Sequence, residues 1–130
     1  MLVVDASLVV KACLSETEFS ALSPERLVAP PLLWSEVSSV LHELRWRATL
    51  QADLAEIAVK RLDGAPIERQ APPELLHEAW HVADELGWAK TYDAEYIALA
   101  RILDVRLVTL DARLQRSAGR LVTVIGPTQM

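Results

Sequence analysis

The chain has 130 residues, a formal net charge of −5 at neutral pH, 52% hydrophobic residues and one cysteine. This length predicts one domain, residues 1–130, with enough apolar side chains for a core. A single cysteine excludes an intramolecular disulfide and a thiolate zinc cluster, and the negative charge disfavours a broad basic nucleic-acid-binding face. The N-terminus has no basic leader and no apolar run reaches about 18 residues, so we expect a cytoplasmic protein that does not enter a membrane.

The first half of the chain predicts short strands alternating with helices. Apolar side chains at spacings of three and four in the middle of this half are typical of helices with one buried face. The predicted elements are a strand at 2–5, a helix at 6–14 that Ser7 would cap, a short helix within 15–25, a strand at 26–29, and two helices, 33–44 and 49–62, that pair as a hairpin.

The second half repeats this alternation. Prolines and glycines separate its elements, since proline suits a first helical turn and glycine a helix end. The predicted elements are a weak strand at 67–70, a helix from 72–73 to 86, a helix at 91–103, a strand at 106–110, a short helix to about 118 and a strand at 121–125. Continuous apolar strands between helices predict an α/β/α sandwich around a mainly parallel sheet.

Four acids lie where a predicted strand or loop meets a helix: Asp5, Glu36, Asp93 and Asp111. Ligands of parallel sheets bind beyond the carboxyl ends of the strands, so Asp5 and Asp111 share one crevice if their strands are neighbours. Oxygen ligands of this kind suit Mg²⁺ or Mn²⁺, and a bound ion of this type can activate water against a phosphodiester. Three of the acids also have a simpler interpretation, as a helix cap for Asp93 and Asp111 or as a surface charge for Glu36. Asp5, a charge between two apolar runs, is harder to explain in this way.

Four ordered motifs resemble PIN-domain proteins of the VapC toxin type. They are Val-Val-Asp-Ala-Ser at 3–7, Pro-Leu-Leu-Trp-Ser-Glu-Val at 31–37, Thr-Tyr-Asp-Ala-Glu-Tyr at 91–96 and Leu-Val-Thr-Leu-Asp-Ala-Arg-Leu at 107–114. The resemblance covers essentially the whole chain. It implies a PIN-like α/β/α sandwich and a Mg²⁺- or Mn²⁺-dependent endoribonuclease.

The resemblance also implies roles and partners. Asp5, Glu36 and Asp93 would be metal ligands, Asp111 a fourth acid that acts directly or through water, and Ser7 a supporting hydroxyl. The substrate would be RNA, the regulator a VapB-like antitoxin protein, and the assembly a homodimer.

Two other classes of function stay open from the sequence. A PIN-fold protein that binds RNA or regulates without catalysis would share the fold. A magnesium-dependent phosphatase of the haloacid dehalogenase type would need a second Asp where Ser7 stands, and a receiver domain would need a pair of acids near its first strand.

Other polar residues are not assigned to the predicted metal site. Glu43 is expected to be solvated, Glu95 to point away from Asp93, and Asp104 to end a helix in a turn with positive φ. The three histidines, His42, His77 and His81, are expected to be surface or packing residues.

Overall fold

A computed structural model describes residues 1–22 and 25–130. Five strands form one sheet: β1 (Leu2–Val4), β2 (Leu27–Ala29), β3 (Ile67–Arg69), β4 (Arg106–Val108) and β5 (Val124–Ile125). The helices within the described residues are α1 (Ala6–Cys13), α2 (Glu18–Leu22), α3 (Leu32–Trp46), α4 (Ala52–Asp63), α5 (Leu75–Leu86), α6 (Tyr92–Leu103) and α7 (Ala112–Ala118), with a 3₁₀ turn at Pro127–Gln129. Residues 23 and 24, in the predicted helical stretch 15–25, lie outside this description.

The sheet is entirely parallel, with strand order β3-β2-β1-β4-β5. Helices α1, α3 and α4 pack on one another, while α5 packs on α6, which also contacts β1 and β4. Right-handed crossovers place α1 to α4 on one face and α5 to α7 on the other. The predicted three-layer α/β/α sandwich is therefore confirmed.

The central strand is buried on both faces. Leu2, Val3 and Val4 of β1 are all fully buried, as expected of a strand covered by helices on both sides. Burial of each such side chain contributes about 1.5–3 kcal/mol. This packing fixes the end of β1, and with it the position of Asp5.

The helical hairpin of α3 and α4 is present, but its second helix differs from the prediction. Helix α4 begins at Ala52, not at residue 49, because the amides of Thr49 and Leu50 both bond to the Leu44 carbonyl in a turn. The face of α4 that packs inward consists of Ala55, Ala58 and Leu62.

Two large apolar side chains of α4 that the periodicity placed inside point outward instead. Leu54 is 48% and Ile57 43% exposed.

No helix in the described part of the chain has the length and apolarity needed to cross a bilayer.

All five strands are shorter than predicted, and β4 and β5 differ most from the prediction. Strand β4 ends at Val108 because the Thr109 hydroxyl accepts a hydrogen bond from the Asp111 amide and turns the chain. The last strand begins at Val124, not at residue 121, because the amides of Leu121 and Val122 bond to the Ala118 carbonyl.

Candidate active site

The candidate site lies where the strand order reverses, between β1 and β4. These strands are paired neighbours, with Val4 opposite Val108, so Asp5 and Thr109 leave the sheet side by side. The sequence-based condition that β1 and β4 be adjacent is therefore met. Such a reversal opens a crevice at the carboxyl edge of a parallel sheet.

Asp5 is held by three hydrogen bonds at this edge. Its Oδ1 accepts from the Ser7 hydroxyl at 2.8 Å and from the Leu8 amide at 3.2 Å, and its Oδ2 accepts from the Thr109 hydroxyl at 2.5 Å. Asp5 is 4% exposed, and this burial raises its pKa, although the three hydrogen bonds oppose the rise and the charge of Asp111 adds to it.

Asp5, not Ser7, caps α1, which corrects the sequence-based expectation for Ser7. The physical reason is that Asp5 keeps extended backbone angles, φ −101° and ψ 175°, and reaches the Leu8 amide. Ser7 instead orients the Asp5 carboxylate, which was the alternative left open for it.

Thr109 connects the ends of the two strands. Its hydroxyl donates to Asp5 and accepts from the Asp111 amide at 3.0 Å, and Thr109 is 2% exposed. The Leu110 amide in turn donates to the Ser7 hydroxyl at 3.1 Å. The segment that carries Asp111 is thus tied to the segment that carries Asp5.

Asp111 caps α7 through one carboxylate oxygen. Oδ1 accepts from the amides of Arg113 at 2.9 Å and Leu114 at 3.2 Å. Asp111 is therefore the N-cap of α7, as one interpretation predicted, but it caps the helix through Oδ1 alone. The carboxylate remains on the crevice wall, so capping and a functional role are compatible.

Glu36 lies on α3, in the helical layer on the other side of the sheet from α6. Its side chain is held in place by Tyr96 of α6. The Tyr96 hydroxyl donates to Glu36 Oε1 at 2.5 Å, and Tyr96 is 1% exposed. Burial raises the pKa of Glu36, the Tyr96 hydrogen bond lowers it, and the charges of Asp93 and Asp5 raise it. Glu36 is therefore neither a fully solvated charge nor distant from the other acids.

Asp93 lies in the first turn of α6 and is not its N-cap, which is Thr91. Burial raises the pKa of Asp93, Arg113 opposes this, and Asp111 adds to it. The Arg113 guanidinium stands 3.8 Å from Asp93 Oδ2. Arg113 is thus an exposed cation that lies beside the acids.

Two adjoining cavities contain these side chains. The first, here called the acid crevice, has a volume of about 290 Å³ and is lined by Asp5, Ser7, Asp93, Tyr96 and Asp111, among others. The second, here called the flanking cleft, has a volume of about 500 Å³ and reaches Glu36, Asp93 and Arg113. Asp93 lines both cavities, so it connects the acids of the acid crevice, Asp5 and Asp111, with Glu36 of the flanking cleft.

The acids that the sequence set aside have different environments. Glu43 is exposed and paired with Arg47, and Asp104 ends α6 with φ 55°, as predicted. Glu95 is half-buried, and its pKa is raised by burial and then by the charge of Glu36. The charge of Glu36 therefore acts on Glu95, which its spacing from Asp93 alone did not reveal.

The donor chemistry fits a hard divalent cation. Carboxylate and hydroxyl oxygens surround the acid crevice, and Mg²⁺ in proteins keeps several waters while binding one or two carboxylates. Within residues 1–22 and 25–130, no three His, Cys, Asp or Glu side chains converge closely enough to hold one ion together. The donor set therefore fits an ion that is largely hydrated, and a four-carboxylate ligand set stays a prediction.

The burial of these acids predicts an unusual pH dependence of stability. Asp5, Glu36 and Asp93 have pKa values above their ordinary 3.8, 4.5 and 3.8. Such groups bind protons more tightly in the folded state, so their stabilisation is complete below the ordinary values and is lost as pH rises through the raised ones.

We expect the melting temperature of the metal-free protein to rise as the pH is lowered from neutrality toward these ordinary values. Thermal unfolding followed by circular dichroism in EDTA measures it. Asp5→Asn should reduce the dependence, and the exposed control Glu43→Gln should leave it unchanged. A melting temperature that falls steadily over this range in the parent protein would contradict the expectation.

Comparison with known proteins gives a consistent set of relatives. Residues 2–120 match the family described as PIN domain. The chain is 36% identical over 115 residues to Ribonuclease VapC9 of Mycobacterium tuberculosis, a match that covers 88% of each protein.

Solved structures share the fold. PAE2754 from Pyrobaculum aerophilum aligns with a TM-score of 0.75 and 25% identity over 98% of this chain and 90% of that one. VapBC2 from Rickettsia felis, bound to a DNA fragment from its promoter, aligns with a TM-score of 0.68 over 96% and 97% of the two chains, at 11% identity. That last likeness shows the fold alone.

Proposed function

The chain belongs to the PIN-domain family, with VapC ribonucleases as its relatives, and from this premise we propose that it is a Mg²⁺- or Mn²⁺-dependent endoribonuclease, the toxin of a toxin-antitoxin pair. The single observation that carries the proposal is that Asp5, Glu36, Asp93 and Asp111 line two cavities at the strand-order reversal, with Asp93 lining both. Family membership also disfavours the phosphatase and receiver alternatives.

In the proposed mechanism the acids hold the cation and organise the water around it. Asp5, Glu36 and Asp93 would hold the ion, directly or through its bound waters, since no three of the described acids converge on one point. Asp111 would bind directly or through a water. The ion, when bound, lowers the pKa of a water and neutralises charge on the phosphoryl oxygens. Mutual repulsion among the acids supports this assignment, because a cation relieves it.

Neighbouring hydroxyls then act as positioning groups. Ser7 and Thr109 fix the two oxygens of Asp5, and Tyr96 fixes one oxygen of Glu36. Each of these hydroxyls donates its proton to a carboxylate oxygen, so it favours the ionised form that a metal ligand needs. Such supporting groups orient ligands and tune metal affinity.

Partners follow from the same proposal. RNA is the substrate, a VapB-like antitoxin is the inhibitor, and the toxin forms a homodimer. Exposed apolar side chains on the α3–α4 hairpin support protein contacts, since Trp46 is 80%, Leu54 48% and Ile57 43% exposed.

We further propose that residues 1–130 form one PIN domain and that the enzyme acts in the cytoplasm, where its RNA substrates occur.

Metal removal tests the proposed activity. Purified protein, separated from any antitoxin by denaturation and refolding, should cleave RNA in Mg²⁺ or Mn²⁺ and lose cleavage in EDTA. Excess Mg²⁺ added after EDTA should restore it. The measurement is the time course of cleavage of a fluorescently labelled RNA. Undiminished cleavage in EDTA would contradict the proposal.

A further inference from the structure

The flanking cleft carries features that the proposed hydrolysis itself does not use. Besides Glu36 and Asp93 it is lined by Trp88, Lys90, Tyr92 and Arg113. Two aromatic rings and two cations thus stand directly beside the acids. The chain as a whole is acidic, with net charge −5, so this local pairing is not a consequence of general composition.

The end of α5 builds one wall of the flanking cleft. Gly87 adopts φ 69°, a left-handed conformation that glycine tolerates, and reverses the chain. The Trp88 amide then bonds to the Ala83 carbonyl at 2.8 Å. This turn directs Trp88 and Lys90 into the cleft, immediately before α6 supplies Tyr92 and Asp93.

The aromatic side chains offer a surface for stacking. Tyr92 is 55% exposed, while Trp88 is partly buried and packs against the core. An exposed ring anchored at a helix start gives a flat apolar face at small entropic cost. The faces of nucleobases stack on such rings, with little dependence on base identity.

Two cations, Lys90 and Arg113, lie where they can contact a phosphate of the RNA. Lys90 is exposed and makes no ion pair with the described residues. The Arg113 side chain is 76% exposed and reaches Asp93 at 3.8 Å. Both can therefore contact an anion at the edge of the acid crevice, which a purely acidic site would repel.

We propose that the flanking cleft binds the nucleotide next to the scissile phosphate, with its base unpaired and stacked on Tyr92 and its phosphate held by Lys90 and Arg113. A volume of about 500 Å³ lies within the usual range of ligand clefts, about 300–1,000 Å³. In a duplex the faces of a base are covered by its neighbours, so stacking requires a single-stranded segment. This inference rests on the proposed ribonuclease function and assigns the residues that hold the nucleotide beside the cleaved bond.

Binding measurements in an Asp5→Asn background, which prevents cleavage, test the assignment. The probes are a short fluorescein-labelled RNA without self-complementarity and the same strand annealed to its complement, followed by fluorescence anisotropy in Mg²⁺. Tyr92→Ala should weaken single-strand binding about tenfold, and Tyr92→Phe should bind like the background protein. Trp80→Ala, which removes an exposed ring of α5 outside the cleft, should have no effect.

The salt dependence of RNA affinity distinguishes the proposed phosphate contacts from the stacking of the base on Tyr92. Lys90→Ala should reduce the slope of log affinity against log salt by about one, whereas Tyr92→Ala should leave the slope unchanged. If Tyr92→Ala lowers the affinity for single-stranded and duplex RNA equally, or lowers neither affinity, the assignment is wrong.

Failure of this assignment is distinguishable from failure of the proposed function. If the parent protein cleaves RNA but Tyr92→Ala binds normally, the cleft assignment is wrong and the ribonuclease stands. If binding depends on Tyr92 and the parent protein cleaves no RNA with metal, the cleft binds single strands and the catalytic proposal is wrong.

Discussion

Asp5→Asn is expected to lower the rate of RNA cleavage by about a thousandfold, because the loss of a metal-binding carboxylate removes several kcal/mol of transition-state stabilisation. The fold should survive. An asparagine oxygen still accepts from the Leu8 amide and the Ser7 hydroxyl, and burial already disfavours the charged form by raising the pKa of Asp5. The Asn amide group then faces the Thr109 hydroxyl, which can turn to accept from it, so the melting temperature at neutral pH should stay within a few degrees of the parental value.

Initial cleavage rates of labelled RNA at saturating Mg²⁺, compared with thermal unfolding of the same preparation, measure both effects. Glu43→Gln is the matched control, since Glu43 is an exposed acid of α3 paired with Arg47. That variant should cleave like the parent. Parental activity in folded Asp5→Asn would refute the assigned role of Asp5.

Thr109→Val should reduce cleavage about 10–100-fold, the usual cost of removing a group that orients a metal ligand. Valine has the shape of threonine but leaves Asp5 Oδ2 without its donor and the Asp111 amide without its acceptor. Two buried polar groups lose a partner, so we expect a loss of about 1–3 kcal/mol in the free energy of unfolding. The midpoint of urea unfolding measures this.

A purely structural role of Thr109 makes a different prediction. If Thr109 positions Asp5, the valine variant needs more Mg²⁺ for half-maximal cleavage at a temperature where it is fully folded, and Thr109→Ser restores the parental value. An unchanged Mg²⁺ requirement in folded Thr109→Val would assign the hydroxyl to stability alone.

The fold was largely predictable because a buried parallel sheet leaves a strong sequence pattern. The run Leu2–Val4 and the helical spacing of α3 and α6 locate the layers without ambiguity. The outward-facing Leu54 and Ile57 were not predictable, because periodicity does not distinguish alanines packed against the core from large side chains exposed on the surface. The turn at Leu50 was missed for a related reason, since a half-buried loop leucine resembles part of a helical stripe.

The grouping of the four acids could be anticipated because Asp5 and Asp111 follow strands and Glu36 and Asp93 lie near the starts of helices, and the hydrophobic pattern predicts the positions of these elements. Thr109 and Tyr96 were missed because their importance depends on contacts across 104 and 60 residues of sequence. A threonine two residues before Asp111 was a usable signal for Thr109, since it follows the strand that neighbours β1. Tyr96 had no comparable signal, because a tyrosine in an apolar helix is usually a core residue.

The central claim is that the acids around the acid crevice hold a divalent ion used for RNA hydrolysis. Anomalous diffraction from a crystal of the protein soaked in Mn²⁺ tests it most directly, because the signal locates the ion independently of activity. The account predicts a peak in the acid crevice within coordination distance of Asp5 and lost in Asp5→Asn. A crystal with the crevice open to solvent that shows no peak there, or a peak bound only by residues elsewhere, would contradict it.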